Sequence, residues 1–116
     1  MAERVIFIGW DRAIIGREKQ AMKLFQKVMK YCMKLQANGR IESYDLVTLT
    51  PHGGDLNVFL MLKGEGKKLA DIREDATFVQ YVMESFNCLQ GFGVITGTIG
   101  AGAIKVFSHL SKLMGS

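Results

Sequence analysis

The stretch Arg4-Val5-Ile6-Phe7-Ile8-Gly9-Trp10, closed by Asp11 and Arg12, decides the fold. It is short, β-branched and aromatic, and polar residues bound it, which is how a strand reads. Both of its alternating sets of side chains are apolar. A strand with one wet face alternates apolar with polar residues, so this one belongs in the middle of a sheet, with cover needed on two sides.

After Gly16, residues 17–37 place Ala21, Leu24, Phe25, Val28, Cys32 and Leu35 at intervals of three and four, the period of an amphipathic helix of about six turns. Asn38 and Gly39 end it, because both tolerate the left-handed conformation of a helix C-terminus. Residues 41–50 (IESYDLVTLT) alternate and predict a second strand, and residues 56–63 (LNVFLMLK) predict a third. The turn cluster Pro51-His52-Gly53-Gly54-Asp55 joins them as a hairpin. Residues 68–90 carry Leu69, Ile72, Val79, Val82, Met83, Phe86 and Leu89 at helical spacing, with a break expected at Asp75-Ala76-Thr77, since Asp and Thr favour caps over helix interiors. Gly91 ends that segment. Residues 92–99 (FGVITGTI) predict a fourth strand, Gly100-Ala101-Gly102 a flexible joint, and residues 103–114 a short helix with Ile104, Phe107, Leu110 and Met114 on one side.

This pattern fills the chain. Its 116 residues, 48% of them apolar, suffice for one domain spanning 1–116, with a core over 4–100 and a C-terminal helix over 103–114. One proline, no polar tract and no internal repeat exclude collagen-like and proline-rich chains and argue against a disordered one. The net charge of +4 is local: from Arg17 to Lys34 there are six basic residues and one acidic, a sum of +5, so the rest of the chain sums to −1. Cys32 and Cys88 stand apart in helical apolar patterns and read as reduced core thiols of a reducing compartment. The apolar run 5–10 is too short for a signal-peptide core and lacks a basic leader, so a cytoplasmic location is expected. Residues 85–104 hold no formal charge and include the Gly93-x-x-x-Gly97 spacing of close-packed membrane helices, but five glycines with Asn87, Gln90, Thr96 and Thr98 argue against a membrane span.

The element order β-α-β-β-α-β, with each helix long enough to cross back over a sheet, predicts an α+β, ferredoxin-like antiparallel sheet of order 4-1-3-2 with both helices on one face. Val5, Phe7 and Gly9 are assigned to the helix-bearing face, with Val58, Leu60 and Leu62. Ile6, Ile8 and Trp10 are then left on the far face, joined by Phe59 and Met61. Such an apolar patch exceeds what a monomer tolerates, and a second copy packed sheet on sheet is the simplest cover.

The element order, the length, the doubly apolar central strands and the short terminal extension resemble the dimeric α+β barrel superfamily. These small bacterial proteins include antibiotic-biosynthesis-type and haem-degrading-type monooxygenases, muconolactone-isomerase-like enzymes and many members without known activity. The resemblance covers residues 4–100 and is one of pattern. It implies the fold and a homodimer through the open sheet face, and it transfers no active-site residue.

The expected sheet gathers polar and aromatic groups at one end. His52 is the candidate general acid or base, and Asp11 or Asp55 would orient it. Arg12 would hold an anion, Asn57 lies beside it, and Trp10 with Phe59 would wall an apolar ligand. The competing reading makes Pro51-His52-Gly53-Gly54-Asp55 a plain turn and Trp10 a dimer anchor. There is no Gly-x-Ser-x-Gly, His109 sits on the polar side of the last helix, and no histidine or cysteine spacing suits a metal, so no metal and no cofactor is assigned. Gly97-Thr98-Ile99-Gly100-Ala101-Gly102 with Lys105 matches no phosphate-loop pattern and reads as a hinge.

Lys19, Lys23, Lys27, Lys30 and Lys34 form a cationic stripe, by default a solvated face. Residues 6–10 bear a faint similarity to the first-strand motif of RNA-recognition domains. Strand three lacks the matching Lys-Gly-aromatic signature, and the lysines lie on the helical side, so nucleic acid is not the expected partner. Two main readings follow. One is a homodimer binding a small apolar or aromatic molecule at the sheet face, whose chemistry, if any, would be cofactor-independent oxygenation or isomerisation by analogy of fold. The other is a non-catalytic self-assembly module. An RNA-binding domain is third.

Overall fold

The computed structural model describes residues 2–115. β1 (Arg4–Trp10) is held on both sides by antiparallel neighbours, β4 (Val58–Gly64) and β6 (Gly93–Thr98). β3 (Ser43–Thr48) pairs with the outer edge of β4, giving the antiparallel sheet β3-β4-β1-β6. α1 (Glu18–Ala37), α2 (Gly66–Glu74) and α3 (Ala76–Cys88) cover one face, and α4 (Gly100–Leu113) follows the last strand. The architecture is ferredoxin-like α+β.

Register decides what each face carries. Directly opposed residues of an antiparallel pair share a side of the sheet. Ile6 stands opposite Leu62, Ile8 opposite Leu60 and Trp10 opposite Val58. Leu60 and Leu62 are 1% exposed and Ile6 fully buried, in one cluster with Cys32 and Leu35 of α1, Leu69 and Ile72 of α2, and Phe78 of α3.

The sequence assignment of β1 is therefore corrected: Ile6, Ile8 and Trp10 face the helices, while Val5, Phe7 and Gly9 lie on the far side. Once Leu60 and Leu62 turn to the helices, their partners must follow, and Phe59 and Met61 take Gly9 and Phe7 with them. On that far face the rings of Phe7 and Phe59 stack with centroids 5.0 Å apart. Ile95 lies opposite Phe7 and Val47 opposite Phe59.

The helices end where local chemistry stops them. α1 turns off at Gly39 (φ +73°), and the Arg40 and Ile41 amides both donate to the Leu35 carbonyl. The expected break at Asp75 is present: its backbone is extended, and its carboxylate accepts the Thr77 amide at 3.4 Å, capping α3.

Two features depart from the sequence reading. α3 ends at Cys88, and β5 (Leu89–Gln90) pairs with β2 (Arg12–Ala13) as a small separate ribbon. Gly100 to Gly102 is no loose joint but the first turn of α4. Gly102 is buried there and must be glycine, because a Cβ would sit 2.5 Å from the Glu3 carbonyl oxygen. Lys105 adds an ion pair to Glu3 at 2.9 Å. Farther along, α4 leaves Ile104, Phe107 (72% exposed) and Leu113 uncovered. Among the described residues, no helix is long and apolar enough to cross a membrane.

Candidate functional site

Helices that cross a twisted sheet diverge toward one end, and here the space left open is lined with apolar side chains. A cavity of about 400 Å³ lies between the sheet and helices α1 and α3. β1, β3 and β4 supply its floor through Ile8, Trp10, Leu46 and Val58, and α1 and α3 its roof through Phe25, Val28 and Val82. The β2–β5 ribbon closes one end with Ala13 and Leu89. The size suits a small organic ligand.

Three polar side chains of this wall are engaged within the protein. The Ser85 hydroxyl donates to the Tyr81 carbonyl at 2.7 Å, one helical turn back. The Tyr31 hydroxyl donates to Asp75 at 3.2 Å. Glu18 accepts the Gly16 amide at 2.8 Å. Cys32 is fully buried, and that burial pushes its thiol up to about 12; Cys88 is pushed up by burial and then by the Glu84 charge.

These shifts set a pH dependence. Each thiol keeps its proton in the folded state, while the unfolded chain releases it around the ordinary value of 9.0. Tyr31, raised by burial and then by the Asp75 charge, acts in the same direction above its ordinary 10.0. Stability is thus fully present below pH 9 and is lost progressively as the pH rises toward 12. Urea midpoints measured from pH 7 to 11 are expected to be level at first and to fall beyond pH 9; a flat profile contradicts the burial. A disulfide-exchange reagent at pH 8 should leave both thiols unmodified until the protein unfolds.

The residues singled out from sequence separate into four places. Trp10 lines the cavity. Asp11, Asn57 and His52 belong to the loop end of the sheet: the Asn57 side-chain amide donates to Asp11 at 2.5 Å and to the Gly54 carbonyl at 3.2 Å, and its backbone amide donates to the Trp10 carbonyl at 3.1 Å. His52 accepts the Gly54 amide at Nδ1 (3.2 Å), which leaves Nε2–H to donate to the Leu56 carbonyl (2.9 Å). Both ring nitrogens thus hold the turn. The Asp55 backbone lies at the same end, its carbonyl oxygen 3.8 Å from where a Cβ on Gly91 would stand. Arg12 turns to the ribbon and donates to Gln90 at 3.0 Å.

Phe59, by contrast, faces the opposite side of the sheet from Trp10, so the two do not wall one site. Among the described residues no three His, Cys, Asp or Glu side chains gather as metal ligands. The sequence reading missed Val28, Leu46, Tyr31 and Tyr81. Of these only Val28 stood in a named apolar stripe, and its spacing could not show that the space beneath it stays open.

No protein-family model and no curated protein sequence matches the chain. Solved structures do, at low identity. A Pseudomonas aeruginosa protein superposes with a TM-score of 0.60 at 13% identity, over 87% of this chain and 97% of its own. A Bacteroides thetaiotaomicron protein of unknown function, described as a possible oxidoreductase, gives 0.59 at 14% identity, over 85% and 100%. A dimeric protein of unknown function and ferredoxin-like fold from Bacteroides fragilis gives 0.57 at 9% identity, over 83% and 96%. The chain thus shares the ferredoxin-like fold of these structures and resembles them at the level of pattern.

Proposed function

We propose that the chain forms a homodimer through the uncovered face of its sheet, and that each subunit binds a small apolar or aromatic molecule in the cavity beneath α1 and α3. The cavity carries the binding half: it is lined mostly by aliphatic and aromatic side chains, and the Tyr31 and Ser85 hydroxyls in its wall are satisfied from within the protein. Two apolar areas support the dimer half. Phe7, Phe59, Met61 and Ile95 occupy the far face, and Ile104, Phe107 and Leu113 project from α4. A second copy covers both with surfaces that every subunit possesses, and the Bacteroides fragilis neighbour, with the same fold, is dimeric.

Binding rather than turnover is the reading favoured here. Fold alone carries no chemistry. His52 and Asp11 spend their hydrogen bonds on the turn and on Asn57, which gives the 51–55 segment a structural role beside the cavity. The RNA reading is disfavoured because the lysines of α1 lie on the helical side of the sheet, away from the Phe7–Phe59 pair.

N-phenyl-1-naphthylamine, an uncharged probe that fluoresces in apolar surroundings, tests the cavity. It is expected to bind with saturation, and Val28→Trp or Leu46→Trp, which fill the space from roof and floor, should each weaken it by about tenfold or more. Absence of saturable binding, or equal binding by both filled variants, overturns the reading and leaves a self-assembly module.

A further inference from the structure

A second hollow, also about 400 Å³, lies on the outer side of the α1–α3 seam and has the opposite character. Lys27, Lys30 and Lys34 line it from successive turns of α1, and Arg40 lines it from the segment after that helix. Lys27 is offset by Glu84 at 3.5 Å and Arg40 by Asp75 at 3.1 Å. Neither Lys30 nor Lys34 is ion-paired among the described residues, so the hollow holds an excess of about two positive charges.

The hollow meets the apolar cavity at the Tyr31–Tyr81 pair. Both tyrosines line both spaces, and their rings meet edge to face with centroids 5.4 Å apart. The charged residue lining the cavity is Glu18, an acid at the start of α1. The charged side chains lining the two spaces are therefore opposite in sign: one carboxylate in the cavity wall, uncompensated lysines in the hollow.

We propose that the ligand of the cavity is an amphipathic anion, an apolar chain or ring bearing one carboxylate, and that Lys30 and Lys34 hold its acid group on the outer side of the Tyr31–Tyr81 pair. The assignment rests on the cavity reading above and adds the ligand's charge and direction. An apolar body matches the wall around Val28 and Leu46. A carboxylate directed to Glu18 would meet repulsion, whereas in the partly enclosed hollow it meets two cations. A neutral analogue loses that contact, and a cationic one reverses its sign.

Displacement of bound N-phenyl-1-naphthylamine by octanoate, octanol and octylamine at low ionic strength reads this out. Octanoate is expected to displace the probe about tenfold more tightly than octanol, as two partly exposed charge contacts supply, and octylamine more weakly than octanol. In the variant Lys30→Gln/Lys34→Gln, the octanoate-to-octanol preference should collapse to about one. Equal displacement by octanoate and octanol in the unmodified protein, or a preference that survives in the double variant, overturns the acid-group assignment while leaving the cavity reading standing. Failure of the probe itself to bind removes both.

Discussion

Ile6→Ala is expected to lower the free energy of unfolding by about 2–5 kcal/mol and the melting temperature by roughly 10–20 °C. Ile6 is fully buried on the central strand, paired with Leu62 and enclosed by residues of all three covering helices. Deleting its outer carbons leaves a void that neighbours on a hydrogen-bonded strand cannot close. Thr96, its partner across the β1–β6 ladder, is exposed on the sheet edge, and Thr96→Ala should stay within about 0.5 kcal/mol. Urea unfolding of both variants at one fixed protein concentration checks this contrast. A small loss for Ile6→Ala would mean that Ile6 is not beneath the helices.

That contrast also marks what could be read from the residues. The two sets Val5-Phe7-Gly9 and Ile6-Ile8-Trp10 are both apolar, so a period of two identifies β1 as central without saying which set faces the helices. The answer is non-local: it comes from the ladder, where the buried Leu60 and Leu62 oppose Ile8 and Ile6. Glycine placement was the available clue. Gly9 and Gly93 oppose each other, and Gly97 opposes Val5, so all three glycines share the far face, where a flat surface suits a second sheet. The helices were easier, because α1 carries its stripe over five turns and Asp75 announces its own cap. The β2–β5 ribbon has only two residues per strand and leaves no periodic signal. The turn around His52 was legible as chemistry and as structure alike, since a histidine in a glycine-rich hairpin suits either. The cavity could not be read at all, because whether Val28 and Leu46 meet or stay apart depends on how α1 crosses the sheet.

Ile95→Glu is expected to weaken self-association by about a thousandfold. Ile95 is 64% exposed in a single subunit, so there the new carboxylate stays in water and costs the fold little. In a two-fold pair each substitution enters twice. Two carboxylates would lose water opposite the apolar area around Phe7 and Phe59, at about 2 kcal/mol or more each. Circular dichroism should be unchanged while dilution on a sizing column shifts the protein to monomer. An unaltered dimer would place its interface elsewhere.

The claim on which the account turns is that one copy leaves Phe7, Phe59, Met61 and the apolar side of α4 in want of cover. Sedimentation equilibrium of the unmodified chain at micromolar concentration tests it most directly. A species of twice the chain mass, dissociating only on strong dilution, is the predicted result; a stable single subunit across that range contradicts it.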